Sequence, residues 1–173
     1  DMDIVDDCYV MYYENFSTIT LSELINKNPL PLYKVIQIAI NIVNAFVSLH
    51  QNSEVYEYLN SHTIYVDEQS LNIKLLPSDM LKWLARHDND LWMLEQTAAI
   101  APEQTGRIVS EVDERTDLYA IGAIIYEMIA GIPVFQTHKN KEITFYILTK
   151  EPNWHIIEQK NPFSTLTKLL QML

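Results

Sequence analysis

The strongest constraint on the fold is one helical segment that runs from Leu32 to about Gln51. Its apolar residues recur at the three- and four-residue intervals of a helix. The main stripe is Val35, Ile36, Ala39, Ile42, Val43, Phe46 and Leu49, and Ile38, Ile40 and Val47 widen it. A helix that is apolar on nearly every side is usually buried, because exposed apolar surface is unfavourable in water. We therefore predict that this helix lies in the centre of a domain.

The remaining patterns predict short strands and further helices. Runs of β-branched and aromatic residues predict strands, a Thr-x-x-Glu capping box predicts a helix start, and Gly131 before Pro133 predicts a helix end. Residues 77–102 show no sustained period and predict an irregular segment. The expected fold class is mainly α, formally α+β, with helices around one small hairpin. The predicted elements are a strand at Cys8–Tyr13, a helix at Thr20–Lys27, a hairpin of Thr63–Val66 and Asn72–Leu76, and helices from Thr116 to Gly131, Lys141 to Lys150 and Pro162 to Leu173.

Composition excludes several classes of function. The 173 residues include 12 Lys and Arg against 23 Asp and Glu, a formal charge of −11, which repels nucleic acid and anionic lipid. Cys8 is the only cysteine, so no disulfide framework or cysteine-rich zinc site can form. The uncharged stretches that flank Glu127 are shorter than the roughly twenty residues of a membrane span. We expect a cytoplasmic domain with no resident metal, no nucleic-acid partner and no membrane insertion.

Three motifs occur in a fixed order in the second half of the chain. Ile100-Ala101-Pro102-Glu103 comes first, Thr116-Asp117 with a glycine five residues later comes second, and Gly131-Ile132-Pro133 comes third. This order resembles the large C-terminal lobe of a protein kinase, with an Ala-Pro-Glu motif before a central helix F. The extension Gln104-Thr105-Gly106-Arg107 is similar to the kinase-like domains of large multidomain sensor histidine kinases. The structural residues implied by the resemblance are Ala101, Pro102, Glu103, Asp117 and Gly122.

The resemblance covers the chain from end to end. It implies that residues 1–15 form the last strand of the small lobe and the hinge, and that residues 16–173 form the large lobe through helix H. The glycine-rich loop and lysine of the small lobe, and the final helices, would then lie outside this sequence. We expect residues 1–173 to be a partial kinase-like domain.

The resemblance also identifies the positions at which a kinase carries its reactive groups. Tyr58 stands where the family has the aspartate base, and Thr63 stands where it has the asparagine that binds magnesium. Pro77 stands at the aspartate of the Asp-Phe-Gly motif, which holds the second magnesium contact. A phenol with a pKa of about 10 is a poor base near neutrality, and proline offers no ligand. The chain is therefore expected to lack catalytic residues and to need no cofactor.

Two carboxylates could replace the lost groups. Glu57 could act as a substitute base, and Asp79 could bind magnesium if the hairpin shifted by two residues. With these two residues the chain would be a divergent Ser/Thr protein kinase that uses Mg-ATP. Tyr65, at the floor of the nucleotide pocket, opposes this alternative because its ring could fill the space under the adenine.

The favoured hypothesis is a pseudokinase: a regulatory or docking module within a larger signalling protein, without phosphoryl transfer of its own. Its partners would be other domains of the same chain or another signalling protein. Trp83 and Trp92 lie in an unusually apolar loop region, and they would pack into the vacated cleft or form a partner surface. A third alternative is a domain that only packs against its neighbours.

Overall fold

The computed structural model describes residues 2–5, 8–11, 18–87, 99–136, 140–160 and 164–172. Strands β1 (Met2–Val5) and β2 (Cys8–Met11) form an antiparallel pair, and β3 (Thr18–Thr20), β4 (Ile64–Asp67) and β5 (Ile73–Leu75) form a three-stranded sheet. The described residues also contain seven α-helices. They are α1 (Leu21–Lys27), α2 (Leu32–Gln51), α3 (Ser78–His87), α4 (Glu114–Ala130), α5 (Asn140–Thr149), α6 (Trp154–Lys160) and α7 (Ser164–Leu170), with a 3₁₀ turn at Pro102–Thr105. Of these, α1 and α2 pack against the larger sheet. The predicted fold class, mainly α in α+β, is confirmed.

Helix α4 forms the centre of the domain. It begins at Glu114, two residues before the predicted start at Thr116. Asp113 caps it, because its carboxylate accepts a hydrogen bond from the backbone N–H of Arg115. It ends as predicted at Gly131, which has a φ of +72°, a value that favours glycine. Helices α2, α6 and α7 all pack against it, so its side chains are buried on nearly every side. Its fully or almost fully buried residues include Ala120, Ile121, Ile124, Ile125 and Met128.

Helix α2 has the predicted bounds but not the predicted surroundings. One face, with Val35, Ile38, Ile42 and Phe46, is buried in the core. The opposite face, which includes Ile40, is exposed, so the prediction of a helix buried on all sides is wrong. The reason is geometric: α4 already occupies the centre, and α2 lies at the side of it with only one face against the core.

The small sheet is larger than the predicted hairpin. Strands β4 and β5 pair antiparallel with Tyr65 opposite Lys74, and the turn between them falls at the predicted residues. Strand β3 adds to the other edge of β4, with Thr20 opposite Tyr65. The capping box that predicts α1 is present in full, because Thr20 and Glu23 each bond the other's backbone N–H.

Three other elements differ from the sequence prediction. Of the predicted strand Cys8–Tyr13, Cys8–Met11 forms β2, and Tyr12 and Tyr13 lie outside the described residues. Strand β2 pairs with the unpredicted β1 in the segment expected to be a single last strand and hinge. The predicted irregular segment is helical from Ser78 to His87 because Leu81, which is 3% exposed, packs in the core. Helix α6 was not predicted, although its Ile157 is fully buried against the core of α4.

Among the described residues, one helix (α2) has the length and composition of a membrane span. The sequence-based argument against a spanning segment considered only the stretches beside Glu127 and missed this one. The core helix of a folded domain meets the same criteria, and α2 packs one full face against α4 and the sheet.

The half-buried Glu127 of α4 makes the stability depend on pH. Burial raises the pKa of its carboxyl, and the hydrogen bond that Ser61 Oγ donates to Oε1 (3.0 Å) lowers it by a smaller amount. A raised folded-state pKa gives a stabilising contribution that is full below the unfolded pKa and is lost as the pH rises through the folded pKa. At pH 7 the ionised carboxylate therefore destabilises the fold.

We expect Glu127→Gln to raise the melting temperature at pH 7, because the amide keeps an acceptor for Ser61 and carries no charge. Near pH 4 the two proteins should melt at closer temperatures. The measurement is thermal unfolding from pH 4 to pH 8, with Glu54→Gln, an exposed change of the same type, as the control. Equal effects of the two substitutions at every pH would contradict the assignment.

Candidate functional site

The candidate site is the loop of residues 54–63, which follows α2 and lies over the first turns of α4. Asp117, 1% exposed, anchors this loop from α4. Its two carboxylate oxygens accept hydrogen bonds from the backbone N–H groups of Tyr56 and Glu57, each at 2.9 Å. His50 Nε2 lies 2.9 Å from Asp117 Oδ2. One buried carboxylate thus fixes the end of α2 and the start of the loop, and its place in the first turn of α4 suits the helix dipole.

Tyr56 links the loop to the segment that follows the hairpin. Its hydroxyl donates to the carbonyl oxygen of Leu76 at 2.7 Å, and its ring packs edge-on against Phe46 at 5.6 Å between centroids. The Leu76 N–H in turn donates to the carbonyl oxygen of Thr63 at 3.1 Å. Thr63 is therefore next to the end of β5, and the positions of Thr63 and Pro77 lie together.

The Thr63 side chain is used within the loop itself. It is 2% exposed, and its Oγ1 contacts the carbonyl oxygens of Tyr58 (3.2 Å) and Asn60 (3.0 Å) and accepts from the N–H of Asn60 (3.0 Å). A hydroxyl with these contacts is a structural group. The Tyr58 carbonyl oxygen is one of the acceptors that Thr63 contacts. The Tyr58 side chain is half-buried, and it supplies a phenol oxygen and no carboxylate.

These residues do not fit a magnesium ion bound as kinases bind it. Such a site needs carboxylate and amide oxygens directed at the ion. Thr63 offers a hydroxyl that is already hydrogen-bonded, and Pro77 offers no side-chain oxygen. In the part of the chain that the structure describes, no three His, Cys, Asp or Glu side chains are grouped to hold a metal.

Glu57 and Asp79 lie near this loop in different environments. Glu57 has a φ of +72°, a strained value for a residue with a side chain. Its carboxylate lies 3.0 Å from Lys82 Nζ of α3, which also donates to the Val55 carbonyl at 2.7 Å. Asp79 is exposed on the first turn of α3. Strand β5 ends at Leu75, so Pro77 lies two residues beyond it and Asp79 four residues beyond it, already on α3.

The Ala-Pro-Glu segment is tied to both the loop and α4. Gln104 Nε2 donates to the Glu57 carbonyl at 2.6 Å, which holds the strained residue in place. Thr116, at the start of α4, donates from Oγ1 to Glu103 Oε1. The charge of Glu103 also adds to the effect of burial, and together they raise the pKa of Tyr119 to about 12. Ala101 and Gly122 are buried, and Pro102 begins the 3₁₀ turn.

The remaining predicted residues lie around this centre. Tyr65 is half-buried and alternates with Ile64 and Val66, which are fully buried, so its ring lies on the sheet face away from the core. Trp83 is half-buried on α3, a helix where a loop was predicted. Trp92 lies outside the described residues.

Four residues of the site were not among those that the sequence analysis selected: His50, Tyr56, Lys82 and Gln104. Each of them bonds a group that is at least 20 residues away in the chain. His50 and Tyr56 could have been selected from their places at the end of α2 and the start of the loop. Gln104 was named only as part of the extension after Ala-Pro-Glu, and its bond to the Glu57 carbonyl leaves no sequence signal. Lys82 leaves none either, because its partners, the Val55 carbonyl and the Glu57 carboxylate, are 27 and 25 residues away.

The buried central helix, the loop that its first-turn aspartate anchors and the adjoining Ala-Pro-Glu segment define the large lobe of a kinase-type fold. The family model described as the protein kinase domain matches residues 4–172. The chain belongs to the protein kinase domain family.

Three relatives show how this similarity is distributed. A hybrid signal transduction histidine kinase of Dictyostelium discoideum is 37% identical over 76 residues, which cover 42% of this chain and 2% of that protein. A probable serine/threonine-protein kinase of Clostridium perfringens is 26% identical over 140 residues, or 78% of this chain and 20% of the relative. The serine/threonine-protein kinase PknB of Mycobacterium leprae is 25% identical over 145 residues, with 77% and 22% covered. The chain spans about a fifth or less of the length of these relatives.

Proposed function

We propose that this chain is a pseudokinase domain, which has a regulatory or docking role in a larger signalling protein and transfers no phosphate itself. The observation that best supports the proposal is that Thr63 and Pro77 lie next to each other. The family places its two magnesium-binding side chains at these positions, and here one is a hydrogen-bonded hydroxyl and the other an imino acid.

The loss of these groups removes the main source of catalysis in this family. Phosphoryl transfer depends on positioning and on neutralisation of phosphate charge by bound cations. A missing general base alone costs about 10² to 10⁴ in rate. Tyr58 does not supply a carboxylate at the base position, so both contributions are missing together.

The residues that hold the site together are present, in contrast to the reactive groups. Asp117, Glu103 and Gln104 hold the loop, the Ala-Pro-Glu segment and α4 in one hydrogen-bonded unit. A unit of this kind suits a domain that presents fixed surfaces to neighbouring domains. The similarity to a protein named a hybrid signal transduction histidine kinase supports a place in a multidomain signalling protein.

The test is thermal unfolding of the full-length protein with ATP and magnesium, with ATP and a chelator, and with magnesium alone. Ligand at 100 times its Kd would stabilise a binding-competent fold by about 2.7 kcal/mol, or more than about 5 °C for a domain of this size. We expect the unfolding transition of this domain to shift by less than about 1 °C and the domain to contribute no magnesium-dependent hydrolysis. A shift of several degrees in that transition that needs magnesium would overturn the proposal.

The competing function is a divergent Ser/Thr protein kinase with Asp79 as the magnesium ligand and Glu57 as the base. Relatives named serine/threonine-protein kinases match more than three quarters of this chain, which favours it. It requires Asp79 to turn inward from an exposed position on α3 and Glu57 to leave Lys82. Magnesium-dependent ATP turnover that is lost in Asp79→Ala and kept in Asp113→Ala would establish it.

A further inference from the structure

Helix α2 carries a second apolar face that the domain does not cover. We call this face the outer stripe and define it by Tyr33, Ile36, Ile40, Val43 and Val47. Their side chains are 43% to 66% exposed, whereas the inner face of the same helix is buried. A helix at the side of a domain normally presents polar residues on this face. Five large apolar side chains in one row therefore need an explanation beyond the fold.

The spacing of the outer stripe is that of a helix–helix seam. Its residues follow one another at intervals of three, four, three and four, which is the a and d pattern of a coiled coil. From Tyr33 to Val47 the stripe extends about 21 Å at 1.5 Å per residue. Four of its five residues are β-branched, and such side chains lose little conformational freedom when they pack. The row can accept the side chains of a second helix as knobs into holes.

The lack of charge on this face favours a second copy of the same helix as the partner. The exposed residues beside the stripe are uncharged: Gln37, Asn44, Ser48 and Gln51. The chain as a whole carries a formal charge of −11, so most pairs of its surfaces repel each other. Helix α2 itself contains no Asp or Glu, so two copies that meet through α2 bring together no carboxylate of this helix. The face is thus self-complementary, as the same surface on both subunits of a symmetric dimer must be.

We propose that the outer stripe is a homodimer interface, in which α2 of one copy packs against α2 of a second copy. The interface is narrow compared with the roughly 800 Å² per partner of standard complexes. The dimer should therefore exchange with monomer at micromolar concentrations. The proposal does not depend on whether the domain binds ATP.

A lipid surface fits the outer stripe less well. Helices that lie on membranes carry Lys and Arg on their polar face to meet anionic headgroups. In α2 the one such residue is Lys34, which is half-buried, and the opposite face of the helix is inside the domain. Membrane binding is therefore an outcome that the test distinguishes, and not the proposal.

The test is sedimentation velocity of the full-length protein from low to high micromolar concentration. We expect the unchanged protein to form dimers, and Val43→Lys to raise the dimer Kd by at least tenfold because it places an ammonium in the apolar seam. Val109→Lys is the matched control: Val109 is fully exposed, lies outside α2 and should leave the Kd unchanged. Thermal unfolding of dilute samples will check that both variants fold, since neither side chain is buried.

Other results would overturn the proposal. The first is an unchanged protein that sediments as a monomer at every concentration. The second is a dimer whose Kd is the same after Ile36→Lys and Val43→Lys are combined. The third is a monomer that binds vesicles of phosphatidylcholine and phosphatidylserine and loses that binding on Val43→Lys, which would assign the stripe to a membrane. The fourth is a monomer that pairs through the stripe with a different protein.

Discussion

Replacing Asp117 with alanine should cause one of the two largest stability losses that we expect from single substitutions. The side chain is buried and accepts from the N–H groups of Tyr56 and Glu57, and it also contacts His50. Its removal leaves two backbone donors without their acceptor, at about 1–3 kcal/mol each. The expected loss of about 2–6 kcal/mol is a large part of the 5–15 kcal/mol that stabilises a typical domain. Chemical denaturation followed by circular dichroism will measure it.

Two further variants separate the role of Asp117 from a general effect on α4. Asp117→Asn should cost less than Asp117→Ala, because the amide oxygen can accept one of the two bonds. Asp113→Ala removes a carboxylate from the same helix at an exposed N-cap, and caps are typically worth about 1 kcal/mol. If Asp117→Ala were no more destabilising than Asp113→Ala, the anchoring role of Asp117 would be wrong.

The sequence predicted those elements whose signal is local. Helix α1 follows from the capping box of Thr20 and Glu23, and the end of α4 follows from Gly131 and Pro133. The hairpin of β4 and β5 has the predicted turn because Asp67 bonds the N–H groups of Gln69 and Ser70 within it. In each case the residues that decide the structure lie within five positions of one another.

The elements that were not predicted depend on contacts between distant residues. Helix α3 is stabilised by Leu81 in the core and by Lys82 on the loop before β4, neither of which a short window shows. The apolar pattern of α2 indicates a helix, but it does not tell which apolar side the domain covers and which it leaves exposed. That distinction depends on the position of α4.

The candidate site likewise has a part that the sequence predicted and a part that depends on contacts between distant residues. Its degenerate positions, Tyr58, Thr63 and Pro77, were found by resemblance to a motif with fixed spacing. The bonds from Gln104 to the Glu57 carbonyl and from Lys82 to the Glu57 carboxylate join segments 47 and 25 residues apart in sequence. They explain why Glu57 can hold a strained backbone, and no spacing rule connects these residues.

Replacing Tyr56 with alanine should cause the second large loss. The ring is 2% exposed and packs on Phe46, and its hydroxyl is bonded to the Leu76 carbonyl. Truncation of a buried aromatic side chain to alanine costs about 3–5 kcal/mol. Tyr56→Phe keeps the ring and should lose about 1–2 kcal/mol for the carbonyl left without its donor. Urea denaturation of the two variants will give both values.

Hydrogen exchange tests the local consequence of the same bond. Tyr56 holds Leu76, and the chain enters α3 directly after Pro77, so Tyr56→Phe should speed amide exchange in α3 more than in α6, which is remote from Leu76 in the described contacts. The control for the stability loss of Tyr56→Ala is Phe145→Ala, which truncates an aromatic side chain that is 57% exposed on α5. It should change the free energy of unfolding by less than about 0.5 kcal/mol. Equal exchange in α3 before and after Tyr56→Phe would mean that the loop does not position this helix. It would also weaken the case that the loop of residues 54–63, without its reactive groups, now serves to hold the surfaces around it.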